Sequence, residues 1–319
     1  MNWETPDCVH CGSSQRIPFA TSFDYEIPSE HTFTIVQCGG CGLCYTCPHP
    51  SMDQLIERFY PDAYHCYQYA DCAPGSLRGL SRIFDNRTNG PRRKRLKRHF
   101  KGRKIRLLDV GCGDGGLLKH LAWRTDWDLK GVEPNPAVAE AVRRSGIDVD
   151  CGLLHDMHYP AEHFHAVTLT HVIEHVSDPP GLLKEIHRIL KPGGMLIVEV
   201  PNLRAIERTL LGPYWWGYHL PRHLFHFTQH TLEMLCTSAG FRRAGLRYVF
   251  TMGSMAWNIS ILMSHAAGGR LRKVAPSNTN PLLLAAVAPL ECLNILLRRG
   301  NLMEMAFEKP AIQGAANDA

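Results

Sequence analysis

Residues Ile105 to Glu133 read IRLLDVGCGDGGLLKHLAWRTDWDLKGVE, and this pattern decides the fold. An apolar run from Ile105 to Val110 stops at a glycine-rich turn. Leu117, Leu118, Leu121 and Ala122 then recur at helical spacing, and a second apolar run ends in Glu133. Strand, tight turn, helix and strand in that order open a doubly wound α/β sheet. Gly111, Gly113 and Gly115 carry no Cβ, so the backbone there can pass close to a bound molecule. The carboxylate of Glu133, closing the second strand, is placed to accept hydrogen bonds from two ribose hydroxyls.

The glycines alone do not choose the ligand. Gly111-x-Gly113-x-x-Gly116 satisfies the dinucleotide pattern literally. Asp109 separates the readings, because a carboxylate just before the turn attracts an ammonium and repels a pyrophosphate. On LDVGCGDGG and the acidic end of the second strand, the chain resembles the seven-stranded class I S-adenosylmethionine-dependent methyltransferases. The resemblance implies a mostly parallel, seven-stranded Rossmann-like sheet and S-adenosylmethionine as cofactor. Asp109, Gly111, Cys112, Gly113 and Gly115 would then surround its methionine end, and Glu133 and Pro134 its ribose. Leu154 and His171 complete the implied cofactor set. LKPGGMLIVEVPN, from Leu190 to Asn202, is a second likeness, so the resemblance covers about residues 105 to 202. Relatives carry an acidic residue after the third strand that reads the adenine amino group. Here Leu153 and Leu154 stand near that place and Asp156 follows, so backbone groups and apolar packing are expected to replace it.

The chain has 319 residues, 45% of them hydrophobic, with a net charge of +5. That supports one large domain or two smaller ones. No charged-then-apolar start is present and no apolar run reaches the ~18 residues of a membrane span. The nearest, Leu282 to Leu297, is interrupted by Pro289 and Glu291. A cytoplasmic location is expected. Two apolar helix candidates, about Ala256 to His265 and Leu282 to Leu297, form an insertion over about residues 252–300. They either pack on the core, cover the active site, form a dimer face, or rest on an anionic membrane surface, with Arg270, Arg272 and Lys273 between them. The tail, 311–319, is expected to be disordered.

Twelve cysteines in a chain without a secretion signal point to metal rather than disulfides. Cys8-x-x-Cys11 and Cys38-x-x-Cys41 are two knuckles, each able to grip one face of a tetrahedral ion, around the strand-like TFTIVQ. Residues 1–50 are therefore expected to be a zinc ribbon holding one structural Zn2+. Cys44 and Cys47 are taken as spare thiols, with a register using Cys44 left open. Residues 51–104 form a helical, basic connector and 105–310 the catalytic domain. Tyr60, Tyr64, Tyr67 and Tyr69 line either an active-site mouth or a packing face. From Arg78 to Arg106 thirteen basic residues face Asp85 alone, and Asn89-Gly90-Pro91 is expected to split the stretch into two helices. This stripe binds nucleic acid or lipid phosphates, or is a solvated face; it lacks the interleaved aromatics that stack bases.

Pro136 to Ser145 reads as a helix capped by Asn135, and Ile147 to Cys151 as the third strand. AVTLTH, Ala166 to His171, is the fourth strand, preceded by His165 where relatives have aspartate. It runs into HVIEHV, whose His171, Glu174 and His175 should face the transferred methyl group at the strand's carboxyl end. These residues suit general-base work or a divalent metal. Here the sequence is similar to the ubiquinone-type O-methyltransferases, whose matching segment is linked to metal and catalysis. One of their carboxylates falls on His171.

Trp215 to Phe227, WWGYHLPRHLFHF, is the densest chemical cluster. Two tryptophans offer a flat wall, Arg222 can grip a carboxylate or phosphate bidentately, and a histidine can take a hydroxyl proton. A similar PRHL-x-HF segment occurs in methyltransferases of sugar, glycan and natural-product pathways with an N-terminal zinc ribbon. His223 is the first choice of base and His175 the second, with His226 in the same cluster. The resulting expectation is methyl transfer to a hydroxyl or carbon of a sugar, glycolipid or related metabolite. An RNA methyltransferase is the runner-up, although the Asn/Asp-Pro-Pro-aromatic signature of many such enzymes is missing. A non-catalytic cofactor-binding scaffold is third.

Overall fold

The computed structural model describes residues 2–27, 31–60, 78–266 and 281–311. Tyr64, Tyr67, Tyr69, Arg270, Arg272, Lys273 and the tail from 312 lie outside them. The larger of two principal sheets contains β6 (Arg106–Val110), β7 (Asp128–Glu133), β8 (Asp148–Cys151), β9 (Phe164–Thr170), β10 (Leu190–Pro201), β12 (Arg242–Val249) and β13 (Leu302–Glu308). Their order across the sheet is β12-β13-β10-β9-β6-β7-β8. β6, β7, β8, β9 and β10 are parallel, whereas β13 runs antiparallel to both its neighbours. The expected seven-stranded, doubly wound architecture is present.

The strand order places β6 beside β9, with the chain winding away on either side. Ligands bind outside the carboxyl ends of strands at such a reversal. There, the glycine turn after β6 meets the His171 segment after β9. The centre of the sheet is dry: Leu107, Leu108, Val167, Leu169, Ile197 and Val198 are fully buried. His165 accepts the backbone N–H of Arg106 at its Nδ1, 3.0 Å away, and so ties β9 to β6.

The basic connector differs from expectation. Arg78–His99 is one helix, α2, with Pro91 inside it. Proline there removes an N–H and crowds the preceding turn, which ordinarily bends or breaks a helix. Tertiary anchoring overrides that cost. Arg92, next in sequence, is 1% exposed and donates at 2.9 Å to both Glu199 and Glu304. Leu96 and Phe100 below it are buried too.

The smaller sheet holds β2 (Arg16–Phe23), β3 (Thr32–Cys38), β4 (Cys44–Thr46) and, as its fourth strand, β11 (Phe225–His226). Phe225 pairs with Tyr45 and His226 with Cys44. The sheet that begins with the cysteine knuckles thus ends with a piece of the WWGYHLPRHLFHF segment. α1 (Met52–Phe59) follows it, with Leu55 and Phe59 inward. The insertion is a pair of contacting helices, α8 (Met252–Ala266) and α9 (Pro281–Leu296).

Candidate active site and cysteine cluster

The turn after β6 is held open by left-handed backbone, with φ of +66°, +51° and +72° at Gly111, Gly113 and Gly115. Gly111 and Cys112 donate their N–H groups to the Val132 carbonyl, folding the turn back onto β7. Glu133 then takes the Gly113 N–H on Oε2 at 3.0 Å and the Asn135 N–H on Oε1 at 2.9 Å. Each oxygen keeps a lone pair for a further donor. Burial raises the Glu133 pKa, while those two hydrogen bonds oppose the rise. A Cβ built on Gly113 meets nothing within 4 Å, whereas one on Gly131 would lie 2.7 Å from Cys112 Sγ. The space above the turn is therefore free, and the Cys112 thiol fills the space beneath it.

Asp109 sits lower. It is buried and accepts from Thr168 Oγ1 at 2.5 Å. Burial pushes its pKa up to about 6, against that hydrogen bond and the charge of Arg92. Leu154 is buried after β8 and Pro134 is exposed after β7. An open glycine floor with a pinned carboxylate beside it fits an adenosine-bearing molecule.

His171 leaves β9 with φ +55°, an uncommon backbone for a branched ring residue. Its N–H bonds the Glu199 carbonyl at 3.0 Å, and its Nδ1 lies 3.2 Å from Glu174 Oε1. Burial lowers the pKa of this half-buried ring, but the hydrogen bond and charge of Glu174, then Glu199, outweigh it and the net direction is up. Glu174 is 1% exposed, and its second oxygen, Oε2, has no hydrogen-bond partner among the described residues. Val172, between them, presses against the cofactor turn: a Cβ on Gly111 would lie 2.5 Å from its Cγ2.

His175 reaches the Tyr60 hydroxyl at 2.8 Å and the Arg222 carbonyl at 3.1 Å, both from Nδ1. The His223 Nδ1 meets the Gly217 carbonyl at 3.0 Å. A carbonyl only accepts, so the His223 Nδ1 carries a proton. Burial, then the neighbouring histidines, hold its pKa well down. Donor atoms of Glu174, His175 and His223 all lie within 4.8 Å of one another.

The structure thus brings His171, Glu174, His175 and His223 together beside the glycine turn. Two further candidates adjoin this group, with side chains bonded inside the chain: the His226 ring is 6.4 Å from that of His223, and the Arg222 carbonyl meets His175. Arg222 is bidentate to Asp24, at 3.1 and 3.2 Å, and donates its Nε–H to the Phe59 carbonyl, so the carboxylate it grips belongs to the chain itself. His226 faces Thr46 Oγ1 at 3.2 Å within the smaller sheet, and burial pushes its pKa down to about 3. Of the two tryptophans, Trp215 is buried and bonded to Asn301. Trp216 stands edge-on to His171 with ring centres 6.3 Å apart, so the wall is one tryptophan deep. Sequence reasoning missed Asp24 and Glu26, which carry no motif.

The four knuckle cysteines converge as spaced: Cys8 and Cys41 Sγ atoms are 3.5 Å apart, Cys11 and Cys38 3.4 Å. Thiolates around a zinc at ~2.3 Å stand roughly 3.8 Å apart, so the cluster needs only slight expansion. Cys44 and Cys47 are buried outside this set, and burial pushes the Cys44 thiol up to about 12. Among the described residues no helix is long and apolar enough to cross a membrane.

A family described as a methyltransferase domain matches residues 81–243. The ubiquinone biosynthesis O-methyltransferase of Cereibacter sphaeroides is 30% identical over 171 residues, covering 49% of this chain and 68% of that protein. That of Ruegeria pomeroyi is 32% identical over 177 residues, covering 51% and 70%. In Xanthomonas oryzae the covered share of the relative falls to 54%. Among solved structures, phosphoethanolamine N-methyltransferase 2 of Haemonchus contortus, in complex with S-adenosyl-L-methionine, shares the fold. Its TM-score is 0.50 at 17% identity, covering 84% of this chain and 63% of that one.

Proposed function

Because the chain belongs to the S-adenosylmethionine-dependent methyltransferases, we propose that it methylates a hydroxyl or carbon of a small molecule, a sugar, glycolipid or related metabolite. One observation carries this reading: a buried carboxylate with an unmatched oxygen, Glu174, is ringed by three histidines directly beside the glycine turn. Burying an unpaired carboxylate oxygen is costly unless a ligand completes it. The acceptor's own hydroxyl is such a ligand.

Glu133, Asp109, Leu154 and the turn from Gly111 to Gly115 would hold the cofactor. When bound, it supplies an electrophilic methyl group on sulfur. The acceptor lies against Trp216, its hydroxyl toward the histidines. His171 takes the acceptor proton on Nε2, and Glu174 at Nδ1 stabilises the resulting imidazolium. His223 and His175 line the same space and exclude water. The zinc-ribbon reading extends to one structural Zn2+ on Cys8, Cys11, Cys38 and Cys41.

A second reading is favoured by the convergence of Glu174, His175 and His223: these three would hold a divalent ion that lowers the acceptor's pKa. Incubating the protein with methyl-labelled cofactor and fractionated extract tests both readings. Label should enter a small-molecule or glycan fraction, and His171→Ala and His223→Ala should each lower the rate at least tenfold. Label in RNA, or full rates in both variants, would overturn the proposal. Activity lost to a chelator and restored by Mg2+ or Mn2+ would select the metal reading.

A further inference from the structure

The bend after β2 reaches across the molecule to the PRHL segment. Asp24 Oδ1 accepts the N–H groups of Glu26 and Ile27, at 2.8 and 3.0 Å, which preforms the bend. Beyond it, Glu26 Oε1 lies 3.1 Å from His219 Nε2 and its Oε2 3.7 Å from Arg222. Tyr25 stacks on His219 at 5.4 Å and 18°, and its hydroxyl donates to the Trp216 carbonyl at 2.8 Å.

His219 sits at φ +38°, in the left-handed region that few non-glycine residues occupy, although histidine enters it more readily than most. Its carbonyl accepts the His223 N–H at 3.0 Å, so the backbone of His219 sets the start of the turn that aims His223. The His219 and His223 rings are 4.9 Å apart, and the His223 and His175 rings 4.6 Å. Contacts therefore run without a break from the Glu26 carboxylate, through the His219 ring and backbone, to the His223 N–H.

We propose that Glu26 is a positioning residue for methyl transfer, acting through His219 to hold His223 and His175 against Glu174. Asp24 has a different task. It and Arg222 are a fully buried pair, and breaking such a pair strands a charge and destabilises the fold. Glu26 is partly exposed and approaches Arg222 only at 3.7 Å, so its removal is expected to leave the Asp24–Arg222 pair in place. Glu26 therefore separates positioning from folding. The proposal rests on the histidine cluster being the transfer site.

The test has one arm that needs no acceptor. Protein labelled with 15N in its histidine rings is compared as wild type and Glu26→Ala, bound to S-adenosylhomocysteine. The ring signals of His175 and His223 should shift or broaden in the variant. The affinity for S-adenosylhomocysteine by calorimetry should stay within twofold and the melting temperature within a few degrees. In the second arm, using the extract fraction that accepts label from wild type, the rate at saturating cofactor should fall at least tenfold with the cofactor KM unchanged. Unmoved ring signals overturn the proposal, as do moved signals with an unchanged rate. Should the alanine variant fail to fold, Glu26→Asp, which withdraws the carboxylate by one methylene, is judged by the same readouts. If no fraction accepts label from wild type, the functional reading fails, while the ring signals still decide whether Glu26 positions the cluster.

Discussion

Gly111 and Gly113 are near neighbours in one turn, yet they make opposite demands. Gly113 opens onto free space, and Gly111 backs onto Val172. Both have positive φ, so alanine at either adds a strain of about 1–2 kcal/mol. At Gly113 the new methyl enters the open space above the turn, where the proposed cofactor would lie. Gly113→Ala should melt within a few degrees of wild type but bind S-adenosylhomocysteine at least tenfold more weakly. Gly111→Ala collides with Val172 and should lower the melting temperature more, which paired calorimetry and thermal melts would show. At this scale the sequence is informative where chemistry is local. Glu133 and the glycines are legible from spacing, and His171, Glu174 and His175 from their place after a strand. Arg222 is not, because its carboxylate lies 198 residues away and nothing local marks Asp24 as its partner. His223 and His226 show the same limit: they are three residues apart with the same chemistry, yet one ring bonds the Gly217 carbonyl and the other Thr46, partners that no spacing announces.

The insertion helices show how an element is fastened. Glu207 on α6 (Ile206–Leu211) is fully buried and receives the side-chain amide of Asn258 from α8. Asn294 of α9 spans Glu207 and Glu291 at 3.5 and 3.4 Å. Burial pushes the Glu207 pKa up to about 7, with the charge of Glu291 adding to the rise and Asn301 and Asn258 opposing it; Glu291 is raised too. A carboxyl raised on folding stabilises fully below its unfolded value. That stabilisation is lost as pH climbs through the folded value. The melting temperature should therefore fall between pH 5 and 8, and Glu207→Gln should flatten the fall. Each tenfold gain in proton affinity on folding is worth ~1.4 kcal/mol, so the effect is on the order of 3 kcal/mol. A melt series across pH in both proteins checks this. α2 teaches the complementary lesson: Asn89-Gly90-Pro91 is a sound local stop signal, overruled by the burial of Arg92 against two strands that follow far along the chain.

At the scale of the molecule, the cysteine cluster and the cofactor turn belong to different sheets, while the histidine cluster touches both. Metal analysis should find about one zinc per chain. Chelation should loosen residues 2–50 to limited proteolysis and lower the melting temperature, because this sheet is too small to supply its own core. Affinity for S-adenosylhomocysteine should change only severalfold, since Gly113 and Glu133 owe nothing to the smaller sheet. Loss of all cofactor binding on chelation would contradict that division. A separate ribbon followed by a catalytic domain is a fair reading of a linear chain. Spacing reveals the cysteines and the glycine turn independently, but the pairing of β11 with β4 is a long-range event that no periodicity announces.

That pairing also orders events during synthesis. Thr46 and His226 lie 180 residues apart. A ribosome adding roughly 5–20 residues per second needs on the order of ten to forty seconds to cover that interval. Through that time the nascent β4 edge stays bare, a template on which a stray strand could seat itself. A chaperone that shields the emerging amino-terminal segment would guard the protein when it is most open to misassembly.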